Sequence, residues 1–287
     1  MKKNIHNNNL TRAAQYFLFA CLCFLITESL FAESLSETNQ GDIQRFIACP
    51  VYRDTDAGPK SGCWLATDPS TGQVFDITGG LTKPFDNRAV LVEGQIGNED
   101  RNMCGATVLR PIRTSVLLEE YCTPHVIPAE NLSGRRFVLP KTRMSPTNVP
   151  RTLPVAPFDK TAFHILFHYN SDFLNYQYSE VMLEKIALTI KAAKPKLVKI
   201  TGFAATKPYM VSERRLRESS SLALQRAKKV KLALTRLGVN ENLIELSMSD
   251  TPESIILDAS DLIENAVSEE TKRRVDIDLV DISVVQQ

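Results

Sequence analysis

Leu197-Val198-Lys199-Ile200-Thr201-Gly202-Phe203 is followed, beyond 204–221, by Leu222-Ala223-Leu224-Gln225-Arg226-Ala227-Lys228-Lys229-Val230. The first run has the length and apolar content of a strand. In the second, Ala223, Ala227, Val230, Leu234 and Leu237 recur at spacings of 4, 3, 4 and 3. That rhythm lays one apolar stripe along a helix, and Gly238 just past it is placed to cap its C-terminus. The pattern continues in both directions. Upstream, Phe163, Ile165, Phe167 and Tyr169 alternate with His164, Leu166 and His168 as in a strand. Val181 to Ala193 then carries Met182, Leu183, Ile186, Ala187 and Ile190 at helical spacing, and Pro195 ends it. Downstream, Ile244–Met248 reads as a short strand, and Val275, Ile277 and Leu279 alternate with Asp276 and Asp278 in a last one. The order β-α-β-α-β-(α)-β over 159–283 predicts a compact α/β sandwich.

The half before it has another character. Runs at 63–66, 89–94, 106–109 and 115–118 are short and β-like, and turn chemistry separates them, as in Asp68-Pro69-Ser70-Thr71-Gly72 and Gly79-Gly80. Residues 42–137 therefore predict a small all-β barrel or sandwich. Five prolines (Pro140, Pro146, Pro150, Pro154 and Pro157) mark 138–158 as an extended, semi-rigid linker. The expected class is α+β: a β domain, a spacer, and an α/β sandwich.

Composition sets the outer limits. The chain has 287 residues, 43% hydrophobic and 23% charged, with 34 basic against 33 acidic residues. A net charge of +1 argues against general nucleic-acid binding, which needs a concentrated basic face. Lys2, Lys3 and Arg12 precede an apolar stretch from Ala13 to Ile26, too short for a membrane span of roughly 20 residues. Leu30-Phe31-Ala32 follows as a cleavage signal, so 1–32 reads as a signal peptide. Removing it leaves Cys49, Cys63, Cys104 and Cys122. An even set of cysteines in an exported chain reads as disulfides. Three pairings are open, and the expectation taken is nested, Cys63–Cys104 within Cys49–Cys122. No CxxC spacing suggests a metal site.

The C-terminal motifs, taken together, resemble the OmpA-like family shared by outer-membrane protein A and MotB. The resemblance rests on Ile200-Thr201-Gly202-Phe203, Leu222 to Val230, Leu237-Gly238-Val239 with Ile244, and Lys272-Arg273-Arg274-Val275-Asp276-Ile277, in that order. It implies non-covalent binding of peptidoglycan, with an Asp and an Arg clamping the ammonium and carboxylate of diaminopimelate. A guanidinium fork suits that carboxylate. Arg226 matches the family Arg, and Gly202 and Phe203 would shape the pocket rim. The Asp position falls on Ala205, and the segment before the helix is longer than the family pattern. Glu213 or Glu218 could replace the acid, the pocket could read another feature, or the fold could be kept as an adaptor without wall binding.

The expected protein is periplasmic, with association to the outer membrane left open, and non-catalytic, without cofactor or metal. Peptidoglycan is the expected ligand, and the β domain would meet an envelope protein partner. The rival is a MotY-like adaptor that has lost wall binding. No Gly-x-Ser-x-Gly, His-Glu-x-x-His or phosphate loop supports an enzyme. Arg214, Arg215 and Arg217 could meet an anionic wall polymer or a partner, but the favoured reading is a solvated loop balanced by Glu213 and Glu218. Asp54-Thr55-Asp56-Ala57-Gly58 reads as a turn, and Trp64 as packing against a disulfide. His164 and His168 fall on one strand face but about 13 Å apart, too far to share a metal.

Overall fold

The computed structural model describes residues 43–57, 61–97, 104–133, 150–158, 161–175, 178–249, 255 and 270–282. The expected signal peptide, most of the expected linker and the optional helix after Ile244–Met248 lie outside these residues. The described elements are α+β.

Seven strands make the N-terminal sheet: β1 (Ile43–Ala48), β2 (Val51–Arg53), β3 (Cys63–Thr67), β4 (Val74–Asp76), β5 (Arg88–Ile96), β6 (Thr107–Tyr121) and β7 (Val126–Ile127). They run in the order β1-β5-β6-β4-β3-β2-β7. Three strand steps separate β1 from β4, about 14 Å in a flat sheet. Yet the Phe46 and Phe75 ring centroids lie 5.4 Å apart. The sheet therefore curls, and Phe46, Phe75, Ile77, Val90, Val92 and Leu109 fill the space inside. The disulfides are Cys49–Cys122 and Cys63–Cys104, the nested pairing. Trp64 is half-buried and its ring meets Tyr52 at 5.2 Å.

One strand expectation needs correction. The runs at 106–109 and 115–118 belong to one long strand, β6, because Arg113 and Thr114 between them are buried and bonded and make no turn. Strand β1 gave no recognisable pattern in the sequence.

The C-terminal sheet has the order β12-β9-β13-β8, with β8 (Ala162–Leu166), β9 (Leu197–Phe203), β12 (Ile244–Ser249) and β13 (Arg274–Val280). Helices α1 (Ser179–Ala193) and α2 (Ser221–Arg236) bury their stripes on one face of it. Phe163, Ile165 and Phe167 point into this core, as their alternation predicts. Helix α2 ends in a Schellman arrangement. Val239 N–H bonds Leu234 C=O at 3.1 Å and Gly238 N–H bonds Thr235 C=O at 3.0 Å, with Gly238 at φ +90°. Leu237, at the end of the predicted stripe, is exposed instead, because the helix stops there.

The segment 206–221 is not an open loop. It contains a hairpin, β10 (Tyr209–Val211) and β11 (Arg214–Leu216), turned by Ser212 and Glu213, both at positive φ. The hairpin packs on the N-terminal sheet. Val211 and Leu216 join Ile47, Ala89, Leu91 and Leu117 in one apolar cluster, and Ile47 N–H donates to Ser212 Oγ at 3.0 Å. The two halves thus meet face to face, and residues 42–287 form one compact unit. Of the proline-rich linker expected at 138–158, residues 150–158 are described, and Arg151 there is paired with Glu184 of α1.

Gly202 has a packing duty. A Cβ on it would stand 1.9 Å from Ala223 C=O, so helix α2 rests directly on β9 there. We expect Gly202→Ala to cost on the order of 3 kcal/mol, read by urea unfolding, because backbone on both sides must move.

Candidate functional site

Arg226, the residue matched to the family clamp, lies on the buried side of α2 and is 0% exposed. Its Nε–H donates to Ser171 C=O at 2.9 Å. Nη1 donates to Phe203 C=O and to Glu218 Oε2, each at 2.9 Å. Nη2 donates to His168 C=O at 3.2 Å and to Glu218 Oε1 at 2.6 Å. A guanidinium has five N–H donors, and all five are used. The Phe167 ring lies 5.2 Å from its centre.

Glu218 is equally saturated. Oε1 also accepts Asn170 N–H at 2.8 Å, and Oε2 accepts Ala205 N–H at 2.8 Å. Burial pushes its carboxyl up, but the Arg226 hydrogen bonds and charge outweigh this, and the carboxyl is held below its ordinary value. Burial likewise lowers Arg226, against the opposing pull of Glu218. Glu218 therefore does not stand as the acidic jaw opposite Arg226. It occupies the fork itself, where the resemblance expects a ligand carboxylate. The N–H of Ala205, at the family Asp position, is satisfied by the same side chain.

The other predicted residues are placed differently. Glu213 is exposed at the hairpin turn and is not among the acceptors of Arg226. Gly202 is buried under Ala223. Phe203 offers its C=O to Arg226 and its ring to Arg274, 4.2 Å away. Arg214 is not merely solvated, since it pairs with Glu120 of β6 at 2.9 Å. His164 and His168 do not share a face. His164 Nδ1 meets Asp276 Oδ1 at 2.7 Å, whereas His168 is buried against the N-terminal half, with Nε2 2.8 Å from Thr82 Oγ1. Burial, then the charges of Arg113, Arg273 and Arg226, push His168 well below its ordinary pKa, so it is neutral at pH 7.

Beside this site runs a charged seam that the sequence did not reveal. Glu93 of β5 and Arg273, just before β13, form a two-pronged pair, both 0% exposed. Arg45 Nε adds a contact to Glu93 at 3.3 Å, and Arg273 reaches Tyr209 Oη at 3.5 Å. Burial works against the Arg273 charge, but Glu93 holds it raised. Arg113 of β6 donates from Nε to Glu270 Oε2 at 3.0 Å, again fully buried. Burial, reinforced by the Glu93 charge and opposed by Arg113 and Arg273, pushes the Glu270 carboxyl up to about 8. Tyr169 N–H donates to Ser115 Oγ at 2.9 Å, which completes the seam. Among the described residues no group of acids, cysteines or histidines could hold a metal ion.

No family model matches the chain, and no curated protein matches it. Solved structures do. The OmpA-like domain of FopA1 from Francisella tularensis is 16% identical, over 42% of this chain and 73% of that one, with a TM-score of 0.32. The periplasmic domain of Helicobacter pylori MotB is 24% identical over 42% and 76%, at 0.31. The peptidoglycan-associated lipoprotein of Burkholderia pseudomallei is 23% identical over 40% and 87%, at 0.30. The sheet order and paired helices above define the C-terminal fold independently of these superpositions.

The seam has a sign that can be measured. Glu270 binds its proton more tightly when folded than when unfolded, where the value is about 4.3. The stability this confers is complete below that value and is lost as pH rises toward 8. We expect urea midpoints of the wild type to fall between pH 5 and 8.5, and Glu270→Gln to flatten that slope.

Proposed function

We propose that this chain is a non-catalytic, periplasmic adaptor of the cell envelope, built on an OmpA-like half whose diaminopimelate clamp is closed by its own Glu218. The observation that carries this is the complete use of Arg226: five donors, five acceptors, and no exposure. A ligand carboxylate would have to displace Glu218, leaving that carboxylate buried beside the intruder. Uncompensated buried charge typically costs about 3–5 kcal/mol, more than a single exchanged ion pair returns.

The clasp supports an adaptor as well. An anchor on a flexible tether needs its wall-facing half free to reach. Here the two halves share an apolar cluster, the Glu93–Arg273 pair and the Arg113–Glu270 pair, so they present one rigid surface. The signal peptide, the periplasmic address and a protein partner for the β domain belong to this proposal. Any hold on the wall would use groups other than Arg226.

Sacculus co-sedimentation of the mature chain tests the reading. We expect no saturable pelleting of the wild type above that of an inert control protein. After lysozyme digestion of cell envelopes, the chain should stay with the membrane fraction. Saturable pelleting that a diaminopimelate-containing muropeptide competes away would reject the closed clamp, and release by lysozyme would reject the membrane-held adaptor.

A further inference from the structure

The β10–β11 hairpin has two faces of opposite chemistry. Val211 and Leu216 turn inward to the N-terminal sheet, with Tyr209 half-buried beside them. Met210 and Arg215 are cross-strand partners on the outer face, and Arg217, just past the end of β11, is exposed. Met210 is 63% exposed. Lys207 lies just before β10 and is exposed too. Among the described residues, the side chains of Lys207, Arg215 and Arg217 have no acidic partner. Arg214, on the inner side, has one in Glu120. Among the described acids nearby, Glu120 is paired with Arg214 and Glu218 with Arg226, and Glu213 sits at the turn. The arginine run thus divides into one residue spent on the clasp and two left exposed.

We propose that this outer face docks an extended acidic segment of a protein partner. Arg215 at the centre of β11 and Arg217 one residue past its end stand two residues apart, a spacing of about 6.8 Å along extended backbone. An extended segment with Asp or Glu at alternate positions repeats its carboxylates at the same distance. Each guanidinium can grip one carboxylate with two parallel hydrogen bonds. Met210 supplies a deformable apolar contact beside Arg215. The clasp behind the hairpin holds the face in place before binding, which lowers the ordering cost of association. A membrane surface is the poorer fit, because interfacial binding needs apolar side chains that insert and this face offers Met210 alone. The proposal concerns a different surface from Arg226 and holds whether or not the clamp is closed.

Fluorescence anisotropy on the full mature chain tests it, with a labelled peptide alternating Glu and Thr as the probe. We expect saturable binding that weakens as salt rises. The variant Arg215→Ala/Arg217→Ala should lose roughly tenfold or more in affinity, as two charge-assisted contacts disappear. Its thermal midpoint should stay at the wild-type value, since both side chains are exposed. A peptide of the same composition with its glutamates in one block should bind more weakly. Absence of binding, binding indifferent to the double variant, equal binding of the blocked peptide, or preferential co-sedimentation with phosphatidylglycerol vesicles would each overturn the proposal.

Discussion

A carboxylate held in the fork of a buried guanidinium organises the centre of this protein. Glu218 and Arg226 are eight positions apart in sequence, yet neither has a hydrogen-bonding position to spare. Arg226 draws carbonyls from two separate stretches, His168 and Ser171 after β8 and Phe203 at the end of β9, onto one point. Glu218 draws in the amides of Asn170 and Ala205. The loop after β8, the end of β9 and the start of α2 are therefore fixed by one ion pair. In an interior of low dielectric, such a network is favourable only when every member is satisfied, and here every member is.

The same pair ties the clamp to the β domain. Glu218 lies two residues past the end of β11, and β11 is half of the hairpin that clasps the N-terminal sheet through Val211, Leu216 and Ser212. Tyr169, next to Asn170, reaches Ser115 with its N–H and accepts Arg217 N–H at its hydroxyl. Closing the clamp and docking the halves are thus two aspects of one arrangement. The Glu93–Arg273 pair, where removing one partner would strand a buried charge, and the Arg113–Glu270 contact extend it along the seam.

Much of this was legible in the sequence, for identifiable reasons. Helices α1 and α2 and strands β8, β9 and β13 bury one face on one core, so their periodicity is clean. Strand β1 was not legible, because Phe46 faces the inner core and its neighbour Ile47 faces the hairpin. Burial on both sides erases alternation. The continuous apolar run from Ala89 to Val92 has the same cause and was a sign of a second layer. Strand β6 read as two strands because Arg113 is charged, and its partner Glu270 lies 157 positions away. Glu218 was visible as a candidate acid, but spacing alone could not distinguish an acid facing a ligand from one filling the fork.

The most direct test watches the Arg226 side chain itself. In a nitrogen–proton correlation spectrum of the mature chain, the Arg226 Nε–H signal, assigned by its loss in Arg226→Lys, should be protected from exchange and unmoved by millimolar diaminopimelate or a soluble muropeptide. A saturable shift of that signal on addition of either compound would show that the fork opens to a ligand, and would contradict the closed clamp.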